Sequence, residues 1–363
     1  MKNLLLIGAF LLAYIGATAQ YDFKVSKEIK YTPIKSQDRT GTCWSFATSS
    51  FLESELKRMG KGDYDLSEMY TVRNIYLNKA QNYLFRQGKA NFSQGSLSHD
   101  VINAFKMGGA MPESAYSGIA SGDKKHDHSE LAKVLNGMMT SLTKVKRPST
   151  KWRQVVNAVL DVYLGTPEQK FKYKGKEYTP QTFAASLGIN TKDYISVTSY
   201  THHPFYENFV LEIPDNYSNG SYQNVPIDEL MKITDHALKN GFSIAWDGDV
   251  SEKGFSGKQG IAVLPTDVSR EDLFENPSEE LFVDQELRQS TFENYSTTDD
   301  HLMHVVGTAK DKKGTKYYII KNSWGAIGPY KGLIYMSEAY FKLKTVAILL
   351  HKDGIPKDIK SKF

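Results

Sequence analysis

Residues 36–47 read SQDRTGTCWSFA, a polar stretch that becomes apolar and periodic at Cys43. Ser, Asp, Thr and Gly favour turns, because their side chains bond locally to the backbone or leave it conformationally free. Lys57 and Arg58 followed by Gly60 form a helix stop signal. The stretch therefore predicts a helix of about 16 residues that begins at Cys43. Its apolar positions recur mostly at three- and four-residue steps: Trp44, Ala47, Phe51, Leu52, Leu56 and Met59.

Cys43 is the only cysteine of the chain, so no intramolecular disulfide can form. At the first turn of a helix, unpaired backbone N–H groups and the helix dipole favour a thiolate, which lowers the pKa of the thiol. This position predicts a nucleophile. The alternative is a buried, inert cysteine that acts as a small apolar residue.

Composition limits the classes of function. The chain has 363 residues, enough for one large domain or two ordinary ones. Its 40% hydrophobic and 24% charged residues are typical of a folded protein. The 45 basic residues are scattered among 41 acidic ones, and the formal net charge is only +4. We therefore expect no nucleic-acid binding.

The first 19 residues have the pattern of a signal peptide. Lys2 precedes an apolar stretch, residues 4–15, and the small residues Ala17 and Ala19 follow it. The apolar stretch is shorter than the roughly 20 residues that cross a bilayer. We expect an exported protein, periplasmic or extracellular, without stable membrane insertion after cleavage. A retained membrane anchor is the alternative.

The rest of the chain changes character along its length, which predicts an α+β fold with two lobes. Residues 20–115 have helical periodicity behind the Cys43 helix, and 241–363 contain short strands separated by turn signals. Residues 116–240 are interpreted as an inserted helical subdomain, with a surface excursion at 201–226.

Four residues form a candidate catalytic group. His304 heads an apolar strand, and Asn322 lies 18 residues later at the end of the next strand, so a hairpin would bring them side by side. Gln37 and the backbone N–H of Cys43 would bind an oxyanion, and Trp324 would shield the His304–Asn322 bond. His301 is the alternative base, His304 could instead be a core histidine, and Gln37 could be an ordinary turn residue.

Residues 37–47 and the pair His304 with 322–325 (NSWG) resemble the active-site segments of the papain superfamily. The resemblance implies a helical left lobe, a β-rich right lobe and a cleft between them. It implies Cys43 as nucleophile, His304 as general base and acid, Asn322 as the orienting residue and Gln37 as oxyanion donor. Cathepsin-like enzymes have a disulfide cysteine where this chain has Thr40.

Cys43 and His304 are also 261 residues apart, against roughly 130 to 150 in papain-like enzymes. In both the missing disulfide cysteine and the longer spacing, the chain resembles the bleomycin hydrolase and bacterial aminopeptidase C branch. Three further segments are similar to that branch: 224–228 (NVPID), 246–250 (WDGDV) and 336–338 (MSE). The resemblance implies a thioester-forming cysteine peptidase of peptide or protein substrates, an aminopeptidase without cofactor or metal. Members of this branch place a C-terminal arm in the cleft, and the tail after Gly354 looks short for that. Oligomerisation stays open.

Three other functions remain as alternatives. The first is an endopeptidase of the same fold, and the second is a non-catalytic binding module. The third is a metal site, because imidazoles and carboxylates crowd together in the sequence. They are Asp299, Asp300, His301 and His304, with His202, His203, His126 and His128 elsewhere.

Overall fold

The computed structural model describes residues 21–120 and 122–363. The predicted signal peptide, residues 1–19, lies outside the described residues. Within the described ranges, no helix is long and apolar enough to cross a membrane.

Helices dominate the first half of the described chain. They are α1 (Cys43–Arg58), α2 (Glu68–Phe85), α3 (Ser98–Gly108), α4 (Ser129–Leu142), α5 (Trp152–Leu164), α6 (Pro180–Leu187), α7 (Ile227–Lys239), α8 (Gln285–Glu293), α9 (Glu338–Lys344) and α10 (Lys357–Lys360). Two short 3₁₀ turns cover Thr191–Asp193 and Lys352–Gly354.

Strands dominate the second half. They are β1 (Lys24–Glu28), β2 (Phe171–Tyr173), β3 (Lys176–Tyr178), β4 (Tyr194–Thr198), β5 (Asn208–Val210), β6 (Ser221–Asn224), β7 (Ile244–Gly248), β8 (Phe255–Ser256), β9 (Ile261–Ala262), β10 (His301–Lys310), β11 (Lys316–Lys321), β12 (Leu333–Ser337) and β13 (Thr345–His351).

Helix α1 begins at Cys43 and has 16 residues, as predicted. The sequence predicted one buried face, whereas every residue from Cys43 to Leu56 is buried. The reason is that α1 lies between α2 and α3 on one side and β10 on the other. Its buried acids are satisfied: Glu55 accepts two bonds from Arg58 at 2.8 and 2.7 Å, and Glu53 accepts the Leu66 N–H at 2.8 Å.

Eleven strands of the described chain form one sheet, in the order β5-β6-β4-β13-β7-β10-β11-β12-β9-β8, with β1 paired to the second half of β10. Strand β10 is therefore central. The predicted hairpin between β10 and β11 is present, with Gly314 at φ +86° in its turn, a conformation that glycine adopts without a Cβ clash.

Two hydrophobic layers cover the central part of this sheet. Helices α1 to α6 pack on one side, where Phe51 and Leu52 meet Leu302 and Leu349. Helices α7, α9 and α10 pack on the other side against Met303 and Val305. The α+β prediction with a helical lobe and a β-rich lobe is confirmed.

The expected helical insertion, 116–240, has a more mixed structure. Its first part contains α4, α5, the β2–β3 hairpin and α6, all packed on the α2 and α3 side. Its second part contributes β4, β5 and β6 to the main sheet, so residues 201–226 are not only a surface excursion. These strands are short and show no clear alternation of apolar residues in the sequence. Pairing stabilises them instead, since β4 pairs with β13, β6 with β4 and β5 with β6.

The C-terminal helix α10 packs against α7. Ile359 is fully buried in the layer of α7, Lys232 bonds Asp358 at 2.7 Å, and Lys362 bonds Glu229 at 2.5 Å. This layer covers the face of the sheet opposite α1. Helix α10 therefore lies across the sheet from α1.

Candidate active site

Cys43 is the first residue of α1, and its position is fixed by the loop around Gln94. Gly41 donates its N–H to Gln94 Oε1 at 2.8 Å, and the fully buried Trp44 donates Nε1–H to the Gln94 carbonyl at 3.0 Å. Backbone hydrogen bonds from Leu302 and Trp44 act on the thiol, which places Cys43 beside the start of β10. The residue that precedes Leu302 is His301.

His301 forms the hydrogen bond that orients an imidazole in a catalytic triad. Its Nε2–H donates to Asn322 Oδ1 at 2.8 Å, and this oxygen also accepts the Ser323 N–H at 2.7 Å. Because Nε2 carries the hydrogen, Nδ1 of a neutral ring is free to accept a proton. The Trp324 ring lies 4.8 Å from the imidazole, at 31°, and shields the bond.

The expectation that His304 pairs with Asn322 is wrong. His304 is fully buried, and its Nδ1 lies 2.9 Å from Ser50 Oγ in the middle of α1. Burial and the nearby Lys321 ammonium hold the pKa of His304 well below its usual range. His304 is therefore a neutral core histidine, which was the alternative considered from the sequence. The residue that bonds Asn322 is His301.

The register of the β10–β11 hairpin explains the difference. His304 lies opposite Lys321, so the residues that face 322–324 come earlier in β10. Strand β10 also begins at His301, so His304 lies inside the strand and not at its head. Side chains alternate between the two faces of a strand, and His304 and Lys321 both face Ser50 of α1. Asn322, one residue after Lys321, and His301, three residues before His304, therefore share the other face.

Gln37 lies beside the same segment. Its backbone N–H donates to the Ser323 carbonyl at 2.8 Å, and its Oε1 accepts from Ser323 Oγ at 2.7 Å. Its Nε2 donates one hydrogen to the Thr40 carbonyl at 2.6 Å, which leaves the second amide hydrogen unassigned. The structure therefore brings Gln37, Cys43, His301 and Asn322 to one place and leaves His304 out.

Burial opposes charge on both partners of the pair. It raises the pKa of the Cys43 thiol to about 12, although the Leu302 and Trp44 backbone lowers it, so the lower pKa expected at a helix start is not found. Burial likewise lowers the pKa of His301 to about 4, against a smaller effect of Asn322. In the resting protein both groups are therefore neutral at pH 7, and a proton must pass between them when the sulfur attacks.

Behind the site lies a buried polar cluster that the sequence analysis did not identify. Lys321 Nζ donates to Ser50 Oγ at 2.7 Å and to Thr32 Oγ1 at 3.1 Å, and Thr32 also bonds Glu53. The available signal was Ser50 and Glu53 on the face of α1 that also carries apolar residues. This cluster joins α1 to the last residue of β11, Lys321, which directly precedes Asn322.

The residues of the proposed metal site separate in space. His301 bonds Asn322, His304 enters the core, and Asp300 accepts from Thr298 Oγ1 at 2.7 Å. In residues 21–120 and 122–363, one cluster could hold an ion by ligand spacing, namely His202, His203 and Glu212. Gln289 donates to His202 Nδ1, so His202 Nε2 carries the hydrogen in its 3.2 Å contact with Glu212 and is not free to bind a metal.

Comparisons with known proteins identify the family of the chain. The family model described as "Peptidase C1-like family" matches residues 111–363, and the one described as "Papain family cysteine protease" matches 17–184. Aminopeptidase G of Lactobacillus delbrueckii subsp. lactis is 25% identical over 92% of this chain and 84% of its own. Aminopeptidase C of Lactobacillus helveticus is 23% identical over 90% and 81%.

The fold also has a solved counterpart. The crystal structure of PepW from Lactobacillus rhamnosis HN001 superposes with a TM-score of 0.74 at 20% identity, covering 93% of this chain and 84% of that one. At this identity the likeness shows a shared fold.

Proposed function

This chain belongs to the Peptidase C1-like family of papain-like cysteine peptidases, and from that premise we propose that it is an aminopeptidase. The identification with the bleomycin hydrolase and aminopeptidase C branch is confirmed. The observation that carries the catalytic assignment is the 2.8 Å bond between His301 and Asn322 beside the Cys43 end of α1. The names of the relatives support removal of N-terminal residues.

We propose a two-step mechanism through a thioester. His301 Nδ1 takes the thiol proton as Cys43 Sγ attacks the carbonyl carbon of the scissile peptide bond. The resulting oxyanion accepts hydrogen bonds from the Cys43 N–H and from Gln37 Nε2. The C–N bond then breaks, and the amine leaves with the proton held by His301. In the second step His301 removes a proton from water, which attacks the thioester and releases Cys43.

Asn322 keeps the imidazole in the tautomer that this mechanism needs. Its Oδ1 can only accept, so it selects the ring form with hydrogen on Nε2 and an open Nδ1. The fully buried Trp44 anchors the start of α1 through its bond to the Gln94 carbonyl, and the Trp324 ring covers the imidazole at 4.8 Å.

An endopeptidase of the same fold is the second candidate. Members of the branch restrict cleavage with a C-terminal arm in the cleft, whereas residues 357–362 of this chain pack on α7, across the sheet from α1. Matched peptide amides with free and acetylated N-termini separate the two. An aminopeptidase loses activity on acetylation, and equal rates with both would establish the endopeptidase.

Labelling tests the nucleophile. An epoxide or iodoacetamide should modify Cys43 quickly near neutral pH and abolish hydrolysis, because His301 assists the thiol. Cys43→Ala should keep the fold and lose both labelling and turnover. Labelling at the rate of an ordinary free thiol would contradict the assignment of Cys43 as the nucleophile of a peptidase.

We also propose export, which the N-terminal pattern supports. The apolar residues 4–15 followed by Ala17 and Ala19 fit cleavage after residue 19. N-terminal sequencing of the protein from fractionated cells would give Gln20 as first residue. A full-length protein in the cytoplasm would exclude export.

A further inference from the structure

A large cavity opens next to the start of β10. Its volume is about 580 Å³. One part of its wall is apolar, with Ile213, Pro214, Phe292 and Tyr295, and its ionisable lining is acidic apart from one histidine. The lining contains neither lysine nor arginine. Its ionisable residues are His202, Glu212, Asp215, Glu293 and Asp299.

Asp299 places this cavity beside the reacting groups. It precedes His301 by two residues, so its Cα lies within about 7 Å of that of His301. Asp247 in β7 is the register partner of Leu302 in β10, and the Leu302 backbone acts on the Cys43 thiol. Both carboxyls also act on Cys43 through their charge. The acidic pair, Asp247 and Asp299, therefore borders the nucleophile.

The acidic pair is buried, and its two carboxyls hydrogen-bond each other. Asp247 is only 4% exposed, and no other described residue donates to either of its oxygens. Asp299 Oδ2 has no donor among the described residues. A buried carboxylate oxygen without a donor is costly, so a cationic ligand that donates to Asp299 would stabilise it.

The protonation of the pair fits one retained negative charge. Burial, with the charge of Asp299, raises the pKa of Asp247 well above its usual range. Burial, with the charge of Asp215, raises the pKa of Asp299 to about 7. Lys79 is the nearby cation, and its Nζ donates to the Gly95 carbonyl rather than to either member of the pair. A cation that enters the cavity would meet a carboxylate not already bonded to Lys79.

We propose that Asp299, supported by Asp247, binds a cationic amine of the peptide substrate, either its α-ammonium group or a lysine side chain. This rests on the peptidase activity proposed above. The acidic pair supplies, beside the nucleophile, the negative charge that an aminopeptidase needs to hold an ammonium group. The apolar wall then contacts the carbon atoms that carry the amine.

The test uses kinetics with two pairs of fluorogenic amides. Alanyl and acetyl-alanyl 4-methylcoumarin amides differ only in the α-ammonium, whereas lysyl and norleucyl amides differ in the side-chain charge. Each is measured with the wild type, Asp299→Asn, Asp247→Asn and a charge control, Asp267→Asn. Asp267 lies on an exposed loop and accepts only from Ser269, so its replacement removes the same charge far from the site. Titration of Cys43 with an epoxide counts active molecules.

Asp299→Asn should lower kcat/KM by about 10- to 100-fold for the substrate whose cation it binds, the size of a lost hydrogen bond to a charged group. A smaller ratio of alanyl to acetyl-alanyl rates identifies the α-ammonium, and a smaller ratio of lysyl to norleucyl rates identifies the side chain. Asp247→Asn should shift the same ratio less, and Asp267→Asn should not shift it.

The proposal would be overturned if Asp299→Asn and Asp247→Asn left both rate ratios, alanyl to acetyl-alanyl and lysyl to norleucyl, unchanged. The epoxide titration of Cys43 must show in each case that the enzyme is fully active. The outcome for the aminopeptidase is separate. A wild type that cleaves free and acetylated substrates equally excludes the aminopeptidase, yet a lost lysyl preference in Asp299→Asn would still establish the cation site.

Discussion

Replacing His301 or His304 by alanine separates the catalytic histidine from the structural one. The two are three residues apart on β10, but His301 bonds Asn322 and lies against the Trp324 ring, whereas His304 bonds Ser50 within the core. We predict that His301→Ala removes most of the turnover with little change in fold, and that His304→Ala destabilises the protein but keeps turnover.

The expected magnitudes come from what each side chain does. Loss of a general base lowers the rate by about 10²- to 10⁴-fold. His304 is fully buried, so its truncation leaves a cavity and costs about 2–4 kcal/mol of unfolding free energy. The loss is moderated because Ser50 keeps its 2.7 Å bond from Lys321. A domain with roughly 5–15 kcal/mol of stability stays folded after this loss.

The assay compares kcat/KM per titratable Cys43 with the unfolding midpoint in urea. His301→Ala should combine a wild-type midpoint with a large loss of rate. His304→Ala should combine a lower midpoint with a rate within a few-fold of wild type, measured well below that midpoint. The reverse pattern, with rate lost only in His304→Ala, would refute the assignment of His301.

Three further predictions concern the same site. Asn322→Ala should lower kcat/KM by about 10- to 100-fold, since the imidazole loses a buried hydrogen bond but keeps its chemistry, and a rate equal to wild type would remove Asn322 from the mechanism. Gln37→Ala should lower kcat by about 10²- to 10³-fold with KM little changed, as the loss of other oxyanion donors does. An effect confined to KM would instead show that Gln37 only binds the substrate. The plot of kcat/KM against pH should fall on the acid side near pH 4. Below the pKa of about 4, His301 is protonated and cannot accept the Cys43 proton. A fall near the ordinary histidine pKa of about 6.5 would contradict the burial of His301.

Local sequence determined the elements that carry the nucleophile and the strands. Helix α1 begins at Cys43 because turn residues and apolar periodicity change at that point, and both act over a few residues. Likewise β11 and the β10–β11 turn follow from an apolar run and a glycine at positive φ. The order Gln, Cys, His, Asn was enough to indicate the family.

Tertiary structure decided which histidine meets Asn322. The apolar run pointed to His304, but strand pairing with β7 extends β10 back to His301, and the β11 register turns His304 towards α1. Pairing partners lie far away in the chain, so no local pattern could rank the two histidines. The same holds for Asp247 and Asp299, which are 52 residues apart and meet only because β7 lies beside β10.

The sequence by itself thus determined a papain-like cysteine peptidase with Cys43 at a helix start, because composition, helix signals and motif order are local properties. Only the tertiary structure decided the partner of Asn322, the burial that keeps Cys43 and His301 neutral, and the position of the C-terminus on α7. Each of these depends on strand register and packing between segments distant in the chain.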